Sequence, residues 1–186
     1  VFIYVREGLP AQNYAGRDEA VVIDQVGCEY TPHITGVRTN HDIIFRNSDG
    51  LLHNVNTTPQ NNRPFNISQP TSMDAPPRRF SQAEVMVPIR CDVHGWMEGY
   101  IGVVDHPYFA VTGDDGSFRI EGLPPGTYTI EAWHEQYGTQ TTQVTVAAQE
   151  TGQATFTYSS DMAGAYVPMG APIDPHDHGR VASATH

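Results

Sequence analysis

The sequence predicts an all-β chain, and three observations carry that prediction. Short runs alternate apolar and polar residues, as in Thr127-Tyr-Thr-Ile-Glu-Ala-Trp133. The 17 Gly and 14 Pro favour many turns and short strands over long helices. Turn sequences such as Asn47-Ser-Asp-Gly50, Gly113-Asp-Asp-Gly116 and Leu123-Pro-Pro-Gly126 stand between the runs. With 186 residues, 39% of them hydrophobic, the chain can build one large core or two small ones.

Taken in order, Val1 to Val5 reads as a first strand and residues 8–19 as polar turns. Ala20 to Asp24 is a second strand, and Gln25 to His33 is a segment of odd composition, a specified loop or bulge. Ile34 to Val37, His41 to Arg46 and the short Leu51 to Val55 are further strands. Residues 56–79 are rich in Asn, Gln, Pro and Ser and read as a long loop of the kind that often carries function. The one helical candidate is a turn within residues 68–84. Glu84 to Arg90 alternates as a strand, a tight loop spans Cys91 to Met97, and Gly99 to Val104 is again extended.

A second unit begins near Asp105, with strands expected at 109–112, 117–120, 127–133, 140–146 and 152–158. It is too small to be more than marginal alone and is expected to pack on the first. Residues 159–186 show no strand or helix pattern and read as an irregular tail, ordered only if a partner subunit holds it. The expected division is therefore 1–104, 105–158 and 159–186.

The net charge of -11 argues against nucleic acid or an anionic membrane surface as partner. All ten basic residues are Arg, and residues 105–158 hold seven acidic groups against one Arg. That acidic lobe could steer a basic partner or serve only as a solubilising face. No run reaches the length of a membrane span. The chain begins at Val1, so an export segment is expected to have been removed, and an upstream anchor could have gone with it. Glycine-rich turns stand between strands, not before helices, so nucleotide binding is not expected; neither is a small organic substrate.

The chemistry concentrates in Cys91-Asp-Val-His94-Gly-Trp-Met97, which offers thiolate, imidazole and thioether within seven residues. A second imidazole, His53, stands upstream on a predicted strand. Two His and one Cys with a weak Met form the donor pattern of a mononuclear blue-copper site. Soft sulfur favours Cu(I), imidazole suits both oxidation states, and a pre-shaped site changes little between them. Two-residue gaps keep Cys91, His94 and Met97 in reach of one ion, Gly95 lets the backbone turn between them, and Asn54 is placed to hydrogen-bond across to the ligand loop.

Residues 30–97 resemble the cupredoxin family, most closely its amicyanin- and plastocyanin-like members. The resemblance runs through Tyr30-x-Pro32, Asn47-Ser-Asp49, Leu52-His53-Asn54-Val55 and Cys91-x2-His94-x2-Met97. It implies a Greek-key β-sandwich with His53, Cys91, His94 and Met97 as ligands of one copper ion. Residues 106–146 resemble the small prealbumin-like or carboxypeptidase-regulatory β-module, through Thr112 to Ile120 and Leu123 to Trp133. Together these imply a periplasmic or extracellular electron-transfer protein or complex subunit, not an enzyme in its own right. Its expected partners are a c-type cytochrome, a dehydrogenase or a respiratory complex.

Several roles stay open. Cys28 can be a buried thiol, a disulfide partner of Cys91 that would abolish the copper site, or a further metal ligand. His33 is either solvent-facing or close to the same metal. His106 and His134 read as satisfied histidines at a domain junction, with a second metal or interface site as the alternative, and His176 and His178 as part of an acidic, mobile tail, with adventitious metal binding as the alternative. Trp96 either packs or offers a docking platform beside His94. Two other functions follow from these choices: an accessory subunit with a Cys28–Cys91 bridge, or a copper-handling protein or small copper enzyme with an atypical site.

Overall fold

The computed structural model describes residues 1–12, 14 and 19–163. His176, His178 and the expected subunit contact of the tail lie outside the described residues. The strands are β1 (Phe2–Glu7), β2 (Val21–Val26), β3 (Glu29–Thr31), β4 (Ile34–Arg38), β5 (Ile43–Asn47), β6 (His53–Thr57) and β7 (Asn66–Gln69). They continue with β8 (Met73–Asp74), β9 (Glu84–Arg90), β10 (Glu98–Val104), β11 (Phe109–Val111), β12 (Gly126–His134) and β13 (Gly138–Val146). Among the described residues, one 3-10 turn spans Ser160–Met162. None of the described residues forms a helix long and apolar enough to cross a membrane.

Two sheets make the sandwich that carries the candidate site. One has the order β3-β2-β5-β8, the other β4-β10-β9-β6-β7. Their facing side chains meet in one core, with Ile23, Ile43 and Phe45 from the first sheet and Val55, Val87 and Ile101 from the second, all fully buried. This arrangement follows from strands with one apolar face each, which are stable only when two such faces close on each other.

The expected loop at 56–79 contains two short strands, and the helical turn expected within 68–84 does not form. Glu84 explains much of the order there. Its carboxylate accepts hydrogen bonds from the backbone N–H of Gln60 and Asn61 and from the Asn62 amide. Two buried glutamines tie the site end together. Gln25 donates to Gln69 Oε1 and to the Arg46 carbonyl, and Gln69 donates to the carbonyls of Phe45 and Met73. Asn47 donates to the carbonyls of Leu51 and Gln69, which sets the turn leading into His53.

A third sheet has the order β11-β1-β12-β13. The strand expected to open the first module thus lies inside the sheet of the second, between β11 and β12, with Phe2 opposite both Val111 and Trp133. The strands expected at 117–120 and 152–158 are not strands. Phe118, Ile120, Ala154 and Phe156 still pack on the core of Ile3, Val5, Tyr128 and Ile130. Their apolar alternation is satisfied by burial without a hydrogen-bonded ladder.

The junction between sandwich and third sheet centres on Phe2, Tyr100, Val104 and Trp133. His106 is buried beside it and accepts a hydrogen bond at Nδ1 from the Tyr108 N–H. Burial lowers its pKa, opposed by Asp105 and a backbone hydrogen bond at Val5 and assisted by Arg38. The native state therefore binds the proton less readily than the unfolded chain, whose histidine titrates near pH 6.5. Stability should be full above about pH 6.5 and fall as the pH drops from there toward the native pKa. Denaturant midpoints measured between pH 7 and 5 should fall less steeply in His106→Gln than in the parent. Equal slopes would rule His106 out as the source. His134, whose pKa burial also lowers, acts in the same direction. Its Nδ1 accepts from the Gln136 N–H, and its ring packs on Tyr137 and Tyr158. Both histidines are satisfied within the fold.

Candidate metal centre

The site lies at one end of the sandwich, where three loops converge. The turn after β5 carries Asp49 and leads to His53 at the start of β6. The loop between β9 and β10 carries Cys91, His94 and Met97. The two-residue turn between β2 and β3 carries Gly27 and Cys28.

His53 Nδ1 lies 3.0 Å from His94 Nδ1, and Cys91 Sγ lies 3.7 Å from that same His94 nitrogen. Donor separations of this size suit donors of one ion with bonds of about 2.0–2.3 Å. A ring nitrogen each of His53 and His94 and the sulfur of Cys28 also lie within 4.8 Å of one another. A Cys and His cluster of this kind could coordinate a metal ion, and its donors are those that suit copper or zinc. His53, Cys91 and Met97 are buried, whereas His94 is partly exposed.

Each donor is held from behind. His53 Nε2 donates to Asp49 Oδ2 at 2.8 Å, which leaves Nδ1 turned to the cluster. Asp49 also accepts the backbone N–H of Gly27 at 2.7 Å and of Cys28 at 2.9 Å. Burial pushes the Asp49 pKa up, but the hydrogen bonds from Cys28, Gly27 and His53 outweigh it and hold the carboxyl below its ordinary value.

Asn54 makes the cross-loop bonds expected of it. Its Oδ1 accepts the Asp92 N–H at 2.7 Å and lies 3.4 Å from Cys91 Sγ. Its amide donates in turn to Asp92 and Asn66. Amide hydrogen bonds from Asn56 and Asn66, and then Asn54, hold the Asp92 carboxyl below its ordinary range. The Tyr30 hydroxyl donates to the Asn54 carbonyl at 2.6 Å. Within the loop, Cys91 N–H donates to the Met97 carbonyl and Met97 N–H to that of His94.

The structure therefore gathers His53, His94 and Cys28 into one cluster, sets the Cys91 sulfur beside His94 and keeps Met97 in the adjoining core. It sends His33 elsewhere: Nδ1 meets the Glu98 carbonyl at 3.1 Å and Nε2 meets Glu135 at 2.6 Å, which ties the site end to the third sheet. Both cysteines are free thiols, so the Cys28–Cys91 bridge weighed from the sequence does not form. Trp96 is 68% exposed, with its ring 5.3 Å from that of His94, so it does not serve as a core residue. The sequence places Asp49 in the Asn47-Ser-Asp49 turn but assigns it no role, and nothing local signals the Asp92 hub.

Residues 102–159 match the carboxypeptidase regulatory-like domain family. The resemblance read from Thr112 to Trp133 agrees with that match, and β1 adds a strand from outside the matched segment. No curated protein matches the chain. Among solved structures, a Cu-containing nitrite reductase from Thermus scotoductus SA-01 is 18% identical over 52% of this chain and 25% of its own, with a TM-score of 0.43. A Cu(I) amicyanin variant is 18% identical over 54% of this chain and 97% of its own, with a TM-score of 0.40. A purple cupredoxin from Nitrosopumilus maritimus is 20% identical over 46% of this chain and 99% of its own, with a TM-score of 0.37. Each is a partial likeness at low identity.

Proposed function

We propose that this chain is a one-electron copper protein, acting outside the cytoplasm as a carrier or as the electron-transfer part of a larger redox complex. The observation that supports it most is the convergence of His53, His94 and Cys91 at one end of the sandwich, with His94 half-exposed. These residues, with Met97 as a further weak donor, would hold copper, which would supply a one-electron couple.

The chain's own task is to hold the donors still. Asp49 fixes the His53 ring, while Asn54 and Asp92 anchor the loop that carries Cys91. Cys91 is buried in the same core cluster as Tyr30, Ile89 and Met97, which keeps water from its inner side. Donors that stay in place in both oxidation states make electron exchange fast.

His94 and Trp96 form the proposed face for electron exit. Val93, Leu51 and Leu52 are also exposed in the segments that carry His94 and His53, an apolar collar suited to brief docking. The charge of -11 favours a basic partner, for which we propose a c-type cytochrome, a dehydrogenase or a respiratory complex. The extracytoplasmic setting rests on the motif resemblance.

The first measurement is copper content with the visible spectrum of the oxidised protein. One copper per chain and a strong thiolate band near roughly 600 nm are expected, with the band abolished in Cys91→Ser. A folded parent that binds no copper would remove this reading.

A further inference from the structure

We propose that Cys28 is a second sulfur donor to the metal centre, so that two thiolates and two imidazoles face one ion. This rests on the metal-centre reading above and adds a ligand from outside the Cys91–Met97 loop.

Position is the first support. The Cys28 sulfur and a ring nitrogen from each of His53 and His94 lie within 4.8 Å of one another. His94 Nδ1 also has the Cys91 sulfur at 3.7 Å. His94 therefore has the sulfur of both cysteines around it, and both are free thiols.

The backbone supplies the second support. Val26 pairs with Glu29, so Gly27 and Cys28 alone form the hairpin turn between β2 and β3. Their φ values are 65° and 59°, both left-handed. A turn of this kind strongly prefers Asn-Gly, Asp-Gly or Gly-Gly. Cysteine has no local reason to occupy it, because a glycine would adopt that conformation without strain. A thiol placed in such a turn and directed at two imidazoles has a role beyond turning the chain.

Asp49 supplies the third. The same Oδ2 that accepts from His53 Nε2 also accepts the Cys28 N–H. One carboxylate thus fixes the Cys28 backbone and the His53 imidazole relative to each other, a shared support of the kind that orients metal donors. Met97 offers only a thioether from the core side, whereas a second thiolate would shift the site toward the tetrahedral Cys and His sets of thiophilic ions.

Co(II) titration of the full chain tests this, because sulfur-to-cobalt absorption scales with the number of bound thiolates. One Co(II) per chain is expected, and Cys28→Ser and Cys91→Ser should each keep about half of the parent intensity. Full intensity in Cys28→Ser would overturn the proposal and leave the copper-carrier reading standing. A parent that binds neither Co(II) nor copper would overturn both. Two-thiolate Co(II) binding without any strong visible copper band would support Cys28 and sink the carrier. Alkylation of the parent protein removes the dependence on a folded variant. Bound Co(II) should slow Cys28 modification about tenfold or more, since the coordinated thiolate is no longer the free nucleophile. Equal rates with and without metal would overturn the assignment.

Discussion

Phe2→Ala should lower the unfolding free energy by about 3–5 kcal/mol, the range for deleting a buried aromatic side chain. Phe2 is fully buried, and its ring packs at 5.8 Å from the rings of both Tyr4 and Phe109. It lies against a strip of the sandwich made by Gly36 and Gly102, which face each other across β4 and β10. A Cβ on Gly102 would stand 2.6 Å from the Phe2 ring. One on Gly36 would stand 2.4 Å from the Phe109 ring and 2.9 Å from that of Phe2. These glycines therefore make room for the ring that joins the third sheet to the sandwich. The substitution leaves a void on that strip, because glycines offer no side chain to fill it. Urea unfolding of parent and variant measures the effect. Gly102→Ala should be destabilising as well, by about 1–3 kcal/mol, through overpacking against the same ring. A loss below about 1 kcal/mol in Phe2→Ala would show that the junction does not depend on it.

The second large effect is expected at Asp49. On the proposed metal centre, Asp49→Ala should weaken metal binding by about 10–100-fold, the usual result of removing a partner that orients a ligand. The carboxylate serves three donors at once: the N–H groups of Gly27 and Cys28 and His53 Nε2. Without it, His53 can rotate and Nδ1 is no longer held toward His94. Asp49→Asn should recover little, because an amide has one acceptor oxygen for three donors and turns an NH2 group toward them. A chelator competition titration with Co(II) gives the affinities, and circular dichroism confirms that the variants remain folded. Affinity within threefold of the parent would show that His53 is positioned by other contacts. Asp49 makes no contact with Met97 or the Cys91 loop among the described hydrogen bonds, so its effect should be separable from that of Asp92.

Much of the candidate site was legible because its chemistry sits in short segments. Cys91, His94 and Met97 share one loop, and His53 stands at the head of a short strand that the sequence already suggests. Asn54 follows His53 directly, so its cross-loop role could be anticipated from its place. The second module was likewise legible from its turns, since Gly113 to Gly116 and Leu123 to Gly126 punctuate alternating runs. Where apolar alternation occurred without a neighbouring partner, at 117–120 and 152–158, it marked burial but not a ladder. In the polar stretch 56–79 the reverse held. Two short strands form there through pairing with β6 and β5, which local composition does not signal.

Local sequence by itself determined the all-β class, the turn positions and the residue types gathered for metal chemistry, because these depend on side-chain alternation, glycine and proline placement and short spacings. Tertiary structure alone decided that β1 joins a sheet with residues more than a hundred positions away, that Asp49 locks both Cys28 and His53, and that His33 turns to Glu135. Those outcomes come from long-range pairing and packing. The free energy that fixes them belongs to contacts between distant segments, and no single segment carries a record of its partner.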